Sequence, residues 1–186
     1  MTSSRLLLVY HSSEGQTAKV AERIASTVAA AGVTVDVEEA DGAPGPDGYS
    51  AVLLGDSIHM GRHSRALSRY VSDHADQLST VPIALFQVSL TSATDDEEHS
   101  TRAHELIQEL VDETGLDPDI VGFFAGSLAY TRYGWFKRRL MRRIARSEGG
   151  DVDMTVDHEY TDWDAVDDFA RHTAALMASS EESRNR

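Results

Sequence analysis

The sequence predicts an α/β domain: a doubly wound, five-stranded parallel sheet in the order 2-1-3-4-5 with helices on both faces. Three observations point there. Strand-like and helix-like segments alternate along the 186 residues. The strand candidates are nearly continuous apolar runs, as expected of strands covered on both faces. The first of them breaks into HSSEGQT just before a helical pattern begins. Right-handed crossovers between successive parallel strands then select the strand order.

Each element has its own reason. Arg5–Tyr10 is a short apolar run, a first strand. Thr17–Ala31 carries Val20, Ile24 and Val28 at helical spacing, and Gly32 supplies the stop. Val33, Val35 and Val37 alternate with polar residues, so Thr34–Glu38 reads as an edge strand. Asp41–Gly48, DGAPGPDG, is a loop. Ala51–Asp56 is a buried strand and Ser64–His74 a helix; Val81–Val88 and Thr101–Thr114 repeat that pair. Ile120–Ser127 is the fifth strand, and Trp163–Met177 closes the chain as a helix. Residues 1–178 are therefore expected to form one domain, with an insertion at about 130–150 and a frayed tail over 179–186.

Bulk properties remove several classes of function. With no cysteine there is no disulfide framework, thiolate nucleophile or thiolate metal site. A formal net charge of −14 argues against nucleic acid, whose phosphates need cations. No apolar run reaches the roughly 20 residues of a membrane-spanning helix, and Arg5–Tyr10 is too short for a signal core. A cytoplasmic location is the expectation. Only Lys19 and Lys137 are lysines; a salt-rich cytoplasm and an arginine-favouring coding bias explain that equally well.

In a doubly wound sheet, ligands sit at the carboxyl ends of the strands around the switch between strands 1 and 3. His11–Thr17, Ser57–His63 and Ser89–Asp95 should meet there. A helix N-terminus offers unpaired N–H groups and partial positive charge. Ser12, Ser13 and Thr17 add hydroxyls, and Gly15 lets the backbone approach an anion closely. The loop lacks both the P-loop lysine and the GxGxxG spacing, so a phosphomonoester fits better than a triphosphate or dinucleotide. That points to FMN; the plainer alternative is that Ser13 or Thr17 only caps the helix. After strand 3, Ile58, His59 and Met60 between Gly55 and Gly61 offer one side of a ring system, or merely a turn with exposed histidines. After strand 4, Ser89 to Ala93 can edge a ring through backbone groups. His59 and His63 lack a third ligand, so no metal is expected. His11, His59 and His63 lie close enough to move a proton, but no residue stands out as catalytic.

Taken together, YHSSEGQT, GDSIHMG, FFAGSLAYTRYGWFKRRLMRRIARSEGG and EYTDWDAV make the chain resemble the flavodoxin-like, quinone (menaquinone)-dependent protoporphyrinogen IX dehydrogenases of haem biosynthesis. The long arginine-rich insertion after strand 5, with YTDW behind it, is the specific part. The resemblance implies FMN held by Ser12, Ser13, Glu14, Gly15, Gln16 and Thr17. It places the ring near Ser57, Ile58, His59, Met60 and Gly61, and near Ser89, Leu90, Thr91, Ser92 and Ala93. It further implies a porphyrinogen substrate, oxidised to the porphyrin, and a membrane quinone as acceptor. His11 and Met60 depart from the family pattern, which commonly has a small hydroxyl residue and an aromatic there.

Tyr130–Arg146 reverses the sign of the molecule: Arg132, Lys137, Arg138, Arg139, Arg142, Arg143 and Arg146 occur with no acidic residue among them. Phe136, Leu140 and Ile144 make an apolar stripe on a helix, headed by Tyr133 and Trp135. Such a segment suits an anionic membrane surface, at the inner face of the cell membrane, close to a lipid-soluble quinone. Pairing of arginines with porphyrin propionates is the other reading, and a solvated surface helix the third. Thr161 or Asp162 is expected to cap the last helix, with Trp163 packed at its base. Other functions remain open on the sequence: an FMN electron carrier, an NAD(P)H:quinone reductase without a porphyrin role, or a scaffold that has lost flavin. A homodimer is compatible with all of them.

Overall fold

A computed structural model describes residues 4–89, 97–128 and 158–184. The sheet strands are β1 (Arg5–His11), β2 (Thr34–Glu39), β3 (Ala51–Ser57), β4 (Ile83–Ser89) and β5 (Ile120–Ala125). They run parallel in the order β2-β1-β3-β4-β5, the arrangement expected from the sequence. Between them lie α1 (Gln16–Ala30), α2 (Arg65–Asp73), the single turn α3 (Ala75–Leu78) and α4 (Glu97–Thr114). The chain then forms β6 (Ser127–Leu128), β7 (His158–Glu159) and α5 (Trp163–Arg184).

Strand periodicity decides how the core divides. Successive side chains point to opposite faces, so Leu6 and Leu8 enter one layer while Leu7 and Val9 enter the other. The first layer receives Val20, Ile24 and Val28 of α1 and Val166, Phe169 and Ala170 of α5. The second receives Leu67, Tyr70 and Val71 of α2 and Ile107 and Leu110 of α4. Each fully buried Leu, Ile or Phe contributes about 1.5–3 kcal/mol relative to exposure, so these two sandwiches hold the fold.

Two glycines are required by close packing rather than by turns. A Cβ on Gly55 would lie 2.2 Å from Phe86 Cζ, because that ring crosses the β3 backbone. A Cβ on Gly122 would lie 2.8 Å from Phe169 Cδ2. Phe86, Phe124 and Phe169 contact one another over these positions, with centroids 5.6–6.3 Å apart.

Two features differ from the sequence expectation. α5 runs past Met177 to Arg184, so residues 179–184 continue the helix instead of fraying. β6 and β7 pair antiparallel and are two residues each, too short to leave any periodic signal. Of the two expected caps of α5, Asp162 is the one that acts: its Oδ1 accepts from the N–H groups of Asp164 (3.0 Å) and Ala165 (3.1 Å). Trp163 packs against the core at the base of α5, as expected.

Among the described residues no helix is long and apolar enough to cross a membrane.

Candidate flavin site

The site is built at the carboxyl ends of β1, β3 and β4. β1 ends at His11, and the chain turns through Ser12–Gly15 into α1. Gly15 is the N-cap, in the left-handed region at φ 95°, and no side chain caps the helix. Capping by Ser13 or Thr17, the plainer alternative, is therefore not what the loop does. The Ser12 hydroxyl instead accepts the Gly15 N–H at 3.0 Å and closes the turn. Helix α1 thus presents its positive end at the switch point between β1 and β3. This geometry fits a phosphate group, and the absence of lysine from the loop suits a phosphomonoester.

Neighbouring loops lock onto that turn. Ser57 Oγ accepts the Ser13 N–H at 3.2 Å and lies 3.0 Å from Ser13 Oγ, tying the end of β3 to the β1 loop. The Ile58 N–H donates to Val88 O at 2.9 Å, tying the same segment to β4. His59 and Arg62 exchange backbone hydrogen bonds of 3.2 and 3.3 Å, which makes a tight turn. At its tip Met60 has φ 52° and Gly61 φ 69°, and Met60 is 89% exposed. Arg102 of α4 reaches over to donate to Gly61 O at 3.4 Å.

Ser12, Ser13, Gly15, Ser57 and Ile58 are thus brought together, as the sequence led us to expect, with His59, Met60 and Gly61 on the adjoining turn. Ser89 is buried at the end of β4, and its carbonyl accepts the Gly126 N–H at 2.9 Å. Gln16 and Thr17 belong to the first turn but are 5% and 1% exposed. Gln16 turns inward, its amide donating to Thr161 Oγ1 at 2.8 Å; that hydroxyl in turn donates to Ala125 O at 2.7 Å. Leu90, Thr91, Ser92 and Ala93 lie outside the described residues. So do Arg132, Trp135, Lys137, Arg138, Arg139, Arg142 and Arg143 of the basic insertion.

One histidine departs from expectation. His63 is not an exposed loop residue: its side chain is 7% exposed, and Nδ1 lies 2.9 Å from Asp56 Oδ2. Asp56 is fully buried and was read only as the end of a strand. The signal was available, since an acid closes an otherwise apolar run (AVLLGD) and a histidine follows seven residues later, just before the serine that caps α2. The Gln16–Thr161 bond had no comparable signal, because 145 residues separate its partners.

A cavity of about 500 Å³ lies at the opposite end of the sheet, where β4 and β5 begin, lined by Leu78, Ile83, Leu116 and Asp119 among others. It is separate from the loops described above.

Comparison with known proteins agrees with this geometry. Residues 7–155 match the flavodoxin domain family. A protoporphyrinogen IX dehydrogenase [quinone] of Leishmania major is 35% identical, the match covering 94% of this chain and 76% of that one. The protein of the same name from Escherichia coli K12 is 30% identical, with 92% and 96% covered. Among solved structures, a flavodoxin from the domain Archaea superposes with a TM-score of 0.55 at 15% identity, covering 95% of this chain and 99% of that one. A Streptococcus pneumoniae flavodoxin gives 0.56 at 14% identity, covering 92% and 99%. Those structures share the fold; the sequence relatives carry the family. With a flavodoxin-like sheet, an uncapped helix at its switch point and relatives matching over 76% and 96% of their own length, the chain belongs to the flavodoxin-like, quinone-dependent protoporphyrinogen IX dehydrogenase family and is a flavoenzyme of that type.

Proposed function

We propose that this protein oxidises protoporphyrinogen IX to protoporphyrin IX using FMN and passes the electrons to a membrane quinone. The observation that carries the reading is the junction of the Ser12–Gly15 turn with the Ser57–Gly61 turn through Ser13 and Ser57. It supports a cofactor with a phosphate at one end and a planar ring at the other. FMN, when bound, accepts electron pairs from a substrate and releases them to an acceptor. The protein's part is binding and orientation. The uncapped start of α1 and the Ser12 and Ser13 segment hold the phosphate. The Ile58–Gly61 turn, pinned by Val88 and Arg102, lies along the ring. Leu90 to Ala93 supply the other edge.

The basic segment Tyr130–Arg146 brings the protein to an anionic membrane surface, where the quinone resides. Its arginines and Trp135 form that contact or the contact to the propionates of the substrate. The protein acts as a peripheral membrane protein on the cytoplasmic side.

A steady-state comparison tests this reading. Purified FMN-loaded protein with a soluble menaquinone analogue should turn over protoporphyrinogen IX much faster than NADH or NADPH. Rapid oxidation of NAD(P)H with protoporphyrinogen untouched would make the protein a quinone reductase instead.

A further inference from the structure

We infer that Asp56 is a positioning residue for the flavin site: its buried side chain closes the Ser57–His63 loop by holding His63 and the Ser64 N–H. This rests on the reading of that loop as a contact for the flavin ring.

Asp56 sits on the face of β3 that carries Val52 and Leu54 into the core, beside His11 of β1 and Gln87 of β4 in the strand register. It is 0% exposed. A carboxylate there is disfavoured unless its oxygens find donors. One oxygen does: Oδ2 accepts the Ser64 N–H at 2.8 Å and lies 2.9 Å from His63 Nδ1. One atom of β3 therefore holds the far end of the loop that β3 itself begins.

Helix capping does not account for the acid. α2 is capped by Ser64, whose hydroxyl accepts the Leu67 N–H at 3.1 Å. Nor does stability, because Asp56 Oδ1, His63 Nε2 and Gln87 Oε1 are buried with no hydrogen-bond partner among the described residues. Apolar side chains of similar volume usually serve stability as well as a buried ion pair, or better. What the acid does is fix the loop. The loop's middle is held by the His59–Arg62 bridge and its start by Ile58 to Val88, while Met60 and Gly61 take left-handed backbone at the exposed tip. Without Asp56 the return of the chain into α2 loses its anchor. Because His63 Nε2 is buried as well, the pair acts through the loop it holds.

The test uses purified holoenzyme and the variants Asp56→Ala, Asp56→Asn and the double Asp56→Ala/His63→Ala. FMN and riboflavin affinities are read by flavin fluorescence. Asp56→Ala should weaken FMN and riboflavin by the same factor, roughly tenfold, the scale of one lost charge-assisted hydrogen bond. The double variant should be no weaker than Asp56→Ala, since both changes break one clamp. Asp56→Asn keeps an oxygen for the Ser64 N–H and so should retain flavin. Wild-type affinity in Asp56→Ala, or loss of flavin from Asp56→Asn, would overturn the inference alone. Weakening of FMN without riboflavin would overturn it too, assigning the effect to the phosphate loop. Wild-type protein that takes up neither flavin would overturn the flavin reading and this inference with it.

Discussion

At the scale of single residues, Gly15 takes left-handed backbone that favours glycine. Its φ of 95° ends β1's loop and starts α1 with the helix amides turned toward the switch point. A side chain in left-handed backbone costs about 1–2 kcal/mol, and here the strain falls on the turn that forms the anion cradle. Gly15→Ala should therefore lose about tenfold in FMN affinity, measured by fluorescence titration. Riboflavin, which has no phosphate, should bind as before. Equal loss for both flavins would show that the turn does not hold the phosphate. Burial shapes a second residue: the Tyr70 hydroxyl is pushed up to about 12 as it donates to Pro44 O at 2.9 Å, so it stays protonated through the physiological range and fastens α2 to the Asp41–Gly48 loop.

At the scale of elements, the sheet depends on glycines that make room for rings. Gly55→Ala drives a methyl into Phe86 and should destabilise the fold by about 1–3 kcal/mol, read from the urea midpoint. An unchanged midpoint would mean that the Phe86 ring moves aside at no cost. A different contact clasps α1 to α5. Arg23 donates two hydrogen bonds to Asp167 (2.7 and 2.6 Å), and Thr27 adds a third at 3.1 Å. The Arg23 hydrogen bonds lower the Asp167 carboxyl to about 2 from 3.8. A carboxyl depressed in the folded state stabilises it above the unfolded value, and that contribution is lost as pH falls through about 2. Asp167→Asn should lower Tm modestly at pH 7, where the half-exposed Arg23 is screened by salt, and the difference from wild type should vanish near the lower value. A gap that persists there would assign the effect to packing.

This scale also shows what was legible beforehand. Continuous apolar runs and helical spacing revealed all five sheet strands and their order, because period and burial are local signals. The Ser12–Gly15 turn was legible for the same reason, since a short polar stretch between a strand and a helix has few other uses. The extension of α5 through SSEESR was not, because a polar helix end and a polar tail have the same composition. Nor was the tie from Gln16 to Thr161, whose partners lie 145 residues apart and meet only in the fold, where Thr161 is held by Ala125 O at the end of β5. His63 was misplaced at the surface because a histidine carries no burial signal until its carboxylate partner is known.

At the scale of the whole molecule, charge is the organising feature. A chain of net charge −14 is repelled by anionic lipid everywhere except at a cluster of opposite sign. Tyr130–Arg146 is such a cluster, with each Lys or Arg near an anionic surface worth about 1 kcal/mol. Reversing Arg138, Arg139, Arg142 and Arg143 to glutamate should abolish sedimentation with phosphatidylserine vesicles while leaving FMN uptake unchanged. Unchanged sedimentation would remove the membrane from the account and leave the arginines to the substrate.

In the proposed reaction, electrons enter from a porphyrinogen and leave to a quinone. Anaerobic mixing of FMN-loaded protein with protoporphyrinogen IX, followed by a menaquinone analogue, tests it most directly. The oxidised flavin absorbance should bleach as porphyrin fluorescence appears, and should return when quinone is added. A flavin that stays oxidised in the presence of protoporphyrinogen would contradict it.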